Sequence, residues 1–124
     1  MIGIEHTGIY SKNIKELKKW YEDFFGWKTV YDNGKNICFL KADNGAMIEF
    51  VQTDEDGADF TENTEGIRHI AIWVDDFEAM VKKVKESGLK IVRDKLTNDE
   101  GVSTMFFCDP DGNVLHFIHR TKLL

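Results

Sequence analysis

The chain has 124 residues, 42% apolar and 31% charged, which suffices for one ordinary hydrophobic core and predicts a single domain. Its 16 lysines and arginines are scattered and outnumbered by 22 aspartates and glutamates, so a net charge of −6 and the lack of a basic stripe argue against nucleic acid as a partner. No apolar run approaches the roughly 20 residues that span a bilayer, and Met1-Ile2-Gly3-Ile4-Glu5-His6 lacks the basic and apolar regions of a signal peptide, so a cytoplasmic protein without membrane contact is expected.

In chain order, an opening strand is predicted over residues 4–10. Asn13 stands three residues before Glu16, the spacing of a capping box, and starts a helix whose apolar stripe is Ile14, Leu17, Tyr21 and Phe24 and whose end is Gly26. Strands follow at 27–30, 36–41 and 46–51, the last two joined around Asp43-Asn44-Gly45. Residues 53–65 are polar and aperiodic; their Asp54, Glu55, Asp56, Asp59, Glu62 and Glu65 read as a solvated linker rather than a cation site. A strand at 67–73 leads to Asp75, three residues before Glu78, and to a second helix with Phe77, Met80, Val81 and Val84 on one stripe and Gly88 at its end. Strands at 89–92, 102–108 and 113–118 complete the chain, the last two joined by Asp109-Pro110-Asp111-Gly112, whose proline and glycine suit a type I turn. Cys38 and Cys108 lie inside apolar strand runs without CxxC spacing and are expected to be reduced core residues.

The chain therefore repeats itself. Ile4-Glu5-His6-Thr7-Gly8-Ile9-Tyr10 superimposes on Ile67-Arg68-His69-Ile70-Ala71-Ile72-Trp73, histidine on histidine, and each segment opens a strand, helix and three further strands. The expected class is α+β, one domain over 1–124 made of repeat one (1–52), a linker (53–65) and repeat two (66–120). Alternation along strands places His6 and His69 on the face turned away from the helices, and places Glu49 and His116 on the same side of the closing strands, against Ile48 and Phe50 or Leu115 and Phe117. A single strand histidine is more often a hydrogen-bonded residue than a ligand. Four donors at two matched places in two matched units point instead to one divalent metal, since imidazole nitrogen and carboxylate oxygen suit Zn, Ni, Fe, Mn or Co and a buried carboxylate among apolar neighbours is costly without a cation. His119 falls on the face opposite His116 and beyond the predicted strand end, and is expected to be structural.

These motifs resemble the vicinal oxygen chelate superfamily, which includes glyoxalase I, extradiol dioxygenases, fosfomycin-resistance enzymes and bleomycin-binding proteins. The resemblance runs through the whole chain and is carried by Ile4-Glu5-His6-Thr7-Gly8-Ile9, Met47-Ile48-Glu49-Phe50, Ile67-Arg68-His69-Ile70-Ala71-Ile72 and Phe107-Cys108-Asp109-Pro110-Asp111-Gly112-Asn113. It implies that two βαβββ repeats form a cup-shaped mixed β-sheet, that the metal ligands are His6, Glu49, His69 and His116, that the ion is Zn or Ni before Fe, Mn or Co, and that the chain is a homodimer acting on a small molecule. The chain departs from the metal-dependent lyases and dioxygenases in its last strand, where Val114-Leu115-His116-Phe117 replaces the usual glutamate. Three neutral imidazoles and one carboxylate then hold a divalent ion, and Glu49 is left as the sole catalytic base.

The function implied is that of a metal-dependent lyase or isomerase resembling glyoxalase I, chelating vicinal oxygens of a small substrate. The alternatives are an extradiol-type dioxygenase using Fe(II), an antibiotic-resistance enzyme opening an epoxide with help from Thr7, and a ligand-sequestering binder lined by Tyr10 and Trp73.

Overall fold

The computed structural model describes residues 1–59, 61 and 63–124; of the linker carboxylates, Glu62 lies outside them. The chain folds as two compact units, Met1–Ala58 and Asp59–Leu124. The first contains β1 (His6–Ser11), α1 (Ile14–Phe25), β2 (Lys28–Asp32), β3 (Ile37–Lys41) and β4 (Met47–Gln52). The second contains β5 (Ile70–Trp73), α2 (Phe77–Ser87), β6 (Ile91–Thr97), β7 (Val102–Cys108) and β8 (Val114–Arg120). Each unit holds a four-stranded sheet of the same order, β1-β4-β3-β2 and β5-β8-β7-β6. In both, the opening strand pairs parallel with the closing one and the remaining pairs are antiparallel. The fold is α+β, with two mixed sheets and two helices.

Helix α1 starts because the Asn13 side chain accepts a hydrogen bond from the Glu16 amide at 3.2 Å, and stops because Gly26 takes a left-handed φ of 73°. Its buried residues are Ile14, Leu17, Tyr21 and Phe24, which pack on β3 and β4. The second cap differs from the sequence expectation. Asp76, not Asp75, accepts from the Ala79 amide at 3.0 Å, because the Asp75 carboxylate is turned to the Trp73 indole N–H at 2.9 Å. Of the predicted stripe in α2, Phe77, Val81 and Val84 are buried and Met80 is half-buried.

Alternation then fills one side of each sheet. Cys38, Leu40, Ile48 and Phe50 are buried in the first unit, and Met105, Phe107, Leu115 and Phe117 in the second. Aromatic contacts tie these layers together, Tyr21 to Phe50 at 5.1 Å and Phe107 to Phe117 at 4.6 Å between ring centroids. Both cysteines are free and buried. The predicted turn closes through the Gly112 amide on the Asp109 carbonyl at 3.0 Å, and the buried Asp109 carboxylate accepts from the amides of Asp111 and Asn113.

Strand ends shift where pairing partners run out or extend. β1 begins at His6 because that residue meets Met47, the first residue of β4. β5 begins only at Ile70, opposite Leu115, so His69 precedes its strand. β6 runs to Thr97, five residues past the predicted end at Val92, since β7 continues to offer partners as far as Ser103. No helix among the described residues is long and apolar enough to cross a membrane.

Candidate metal centre

The two units present their polar donors at equivalent register positions. In the first, Gly8 pairs with Glu49, two residues after His6; in the second, Ala71 pairs with His116, two residues after His69. Because side chains alternate along a strand, each opening histidine shares the face of the donor on the closing strand.

In the first unit His6 Nε2 lies 3.8 Å from Glu49 Oε1. The other ring nitrogen, Nδ1, sits 2.9 Å from Glu5 Oε1. A carboxylate oxygen accepts, so Nδ1 carries the proton and, in the neutral ring, Nε2 keeps its lone pair towards Glu49. The ring is held edge-on by Phe39, at 5.1 Å and 80°. Gly8 lies beside the carboxylate: a Cβ at that position would stand 3.5 Å from Glu49 Oε1, an ordinary contact.

In the second unit His69 and His116 lie ring to ring, centroids 4.6 Å apart, and Phe106 closes edge-on against both at 5.3 and 4.4 Å. His116 is only 8% exposed. Three buried ring nitrogens, His69 Nδ1 and both nitrogens of His116, have no hydrogen-bond partner. Leaving such atoms unsatisfied costs about 1–3 kcal/mol each. Burial, then His69, Arg68 and Arg120, push the His116 imidazole down to about 4, and burial with Arg68 lowers His69. Both rings are therefore neutral at pH 7, the form that offers a lone pair to a metal. Within each unit, two imidazoles in one and an imidazole beside a carboxylate in the other, the donors are of kinds that suit a borderline divalent ion.

The predicted residues thus come as two pairs, one in each unit. Among the described residues no group of three or more His, Cys, Asp or Glu side chains stands together as a metal-binding cluster. His119 is structural in its contacts, its Nδ1 on the Val74 carbonyl at 2.9 Å and its ring against Trp73 at 5.0 Å; it lies within β8, which extends to Arg120, rather than beyond the strand. Tyr10 and Trp73 are 71% and 42% exposed. Unforeseen in the sequence were Phe106 and two arginines over its ring, Arg68 at 4.9 Å and Arg93 at 5.4 Å. Arg68 adjoins His69 in sequence. Arg93 reaches Phe106 only through an irregular register in β6.

The sequence pattern of the Glyoxalase/Bleomycin resistance protein/Dioxygenase superfamily matches residues 3–117. The chain belongs to this superfamily. It is 29% identical to YwbC of Bacillus subtilis (strain 168), the match covering 94% of this chain and 97% of that one. It is also 29% identical to a probable lactoylglutathione lyase of Synechocystis, over 94% of this chain and 95% of that one. Among solved structures, a glyoxalase/dioxygenase from Nostoc punctiforme superimposes with a TM-score of 0.82 at 13% identity, over 97% of this chain and 92% of the other, a likeness of fold.

Proposed function

We propose that the chain is a metal-dependent lyase or isomerase of the glyoxalase type, with both repeats (1–52 and 66–120, joined by 53–65) acting as one functional domain in a cytoplasmic homodimer. One divalent ion, Zn or Ni, is held by His6, Glu49, His69 and His116, one pair of donors of each kind completing the set. The observation that carries the reading is the register equivalence of the two pairs, Gly8 with Glu49 and Ala71 with His116, together with the orphaned nitrogens of His69 and His116. The likeness to the Synechocystis probable lactoylglutathione lyase supports the choice of reaction.

When bound, a divalent ion supplies a fixed positive charge shared by two neighbouring substrate oxygens, which acidifies the adjoining C–H bond. Glu49 is the base: its Oε1 takes the proton from that carbon and returns it to the neighbouring carbon, an isomerisation in which no atom is gained or lost. His6, fixed through Glu5, holds the Glu49 side of the site, and Phe106 keeps water from the two imidazoles of the second unit.

Elemental analysis of untagged protein tests the reading, with His6→Ala, Glu49→Gln, His69→Ala and His116→Ala beside the wild type. About one metal per chain, lost or weakened in each variant, is the expected result, with proton exchange at the substrate carbon lost in Glu49→Gln. A wild type that holds no metal and takes up none on reconstitution overturns it. Binding of a planar cationic drug by that protein then establishes the second reading, a sequestering module, which the exposed Tyr10 and Trp73 favour.

A further inference from the structure

The first unit holds a cavity of about 370 Å³ between the first turn of α1 and the turn from β2 to β3. Its charged lining is three lysines, Lys15, Lys18 and Lys35, and one aspartate, Asp32, a net +2 in a chain of net −6. Lys18 Nζ is paired with Asp32 at 3.1 Å, whereas the ammonium groups of Lys15 and Lys35 meet no carboxylate among the described residues. Ile14 and Cys38, both buried, supply the apolar part of the lining. Phe39, next to Cys38, turns to the other side of β3 and packs against His6, so the cavity lies on the side of the sheet opposite His6 and Glu49.

The second unit shows that the fold does not require this cavity. Counting from the helix caps Asn13 and Asp76, Val81 stands where Lys18 does and Glu78 where Lys15 does. Pairing with Phe50 and Phe117 likewise sets Met105 in the place of Cys38. Val81 and Met105 are core residues, 3% and 0% exposed, and Glu78 binds Lys95 at 2.8 Å. The first unit thus has an ammonium and a smaller thiol where its copy has packed apolar side chains, and an unpaired ammonium where its copy has a paired carboxylate. Unfilled volume and gathered like charges both cost stability, and an anion seated in the cavity offsets both.

We infer that this cavity binds a small organic phosphate, its dianionic head between Lys15 and Lys35 and its apolar body against Ile14 and Cys38. An ammonium is a compact point charge with three rotatable donors, which suits the tetrahedral oxygens of a phosphate and lacks the planar fork that favours a carboxylate. The net +2 matches the dianion. The volume falls in the range of roughly 300–1,000 Å³ that holds small ligands, and leaves room for a body beyond the phosphate. The site is separate from the proposed metal centre and does not depend on it.

The test is calorimetric titration of the purified protein with phenyl phosphate, inorganic phosphate and phenol at pH 8. The wild type is expected to bind phenyl phosphate at least fivefold more tightly than inorganic phosphate, and phenol not at all. In the double variant Lys15→Gln/Lys35→Gln the affinity for phenyl phosphate falls at least tenfold while the melting temperature stays as in the wild type, since both positions are exposed. Lys28→Gln removes an exposed lysine outside the cavity, and His116→Ala removes a proposed metal donor; both are expected to bind phenyl phosphate as the wild type does. The inference is overturned if the wild type binds phenyl phosphate no more tightly than inorganic phosphate or phenol, or if the folded double variant keeps its affinity. An equal loss in Lys28→Gln also overturns it, because net charge alone then governs binding, as does a loss in folded His116→Ala, because the phosphate then sits on a metal. Failure of the protein to take up metal defeats the lyase reading and leaves every arm of this test in place.

Discussion

At the scale of single residues, the side chains that matter are those whose polar atoms are buried without ordinary partners. His116 is the strongest case, with both nitrogens orphaned against Phe106 and His69. Cys38 is a contrasting one, buried and inert. Burial first, then Asp32, push its thiol up to about 11 from an ordinary 9.0. Because the folded state keeps the proton longer than the unfolded state, this stabilisation is complete below pH 9 and is lost as pH rises from 9 towards 11. Iodoacetamide at pH 8 should therefore leave Cys38 unmodified in the native protein and label it rapidly in urea, with mass spectrometry as the readout. Rapid native labelling would show that the strand side facing α1 is open.

At the scale of elements, the two helices are built alike and capped at the same offset. Asn13 stands next to the first residue of α1, and Asp76 holds the same place in α2, while Asp75 is occupied by the Trp73 indole. Asp76→Ala should cost about 1 kcal/mol, seen as a lower urea midpoint, because the Ala79 amide loses its acceptor. Asp75→Ala should stay within about 0.5 kcal/mol, since the exposed pair it breaks can be replaced by water. The capping-box spacing to Glu78 suggested Asp75, and the sequence held the correct alternative one residue later. What moved the cap was a side-chain contact from the neighbouring strand.

At the scale of the whole molecule, a repeated unit has diverged at its donor positions, with a histidine and a carboxylate in one copy and two histidines in the other. If one ion uses all four, its binding is coupled to the folded state. Zinc at about a hundredfold excess over its dissociation constant should add about 2.7 kcal/mol and raise the melting temperature by roughly 10 °C. The same addition should leave His116→Ala nearly unmoved, and a chelator should reverse the gain in the wild type. An equal shift in both proteins would place the metal elsewhere.

The amino-acid sequence by itself determined the repeat, both helices and their glycine ends, and the face on which His6, Glu49, His69 and His116 lie. These depend on periods of 3.6 and 2 and on local backbone preferences, which act within a few residues. Only the tertiary structure decided that β5 starts after His69, that β6 continues to Thr97, and that Arg93 comes to rest opposite Phe106. Strand ends and irregular register are fixed by which partner strand offers its hydrogen-bonding groups, and those partners lie far away in the chain.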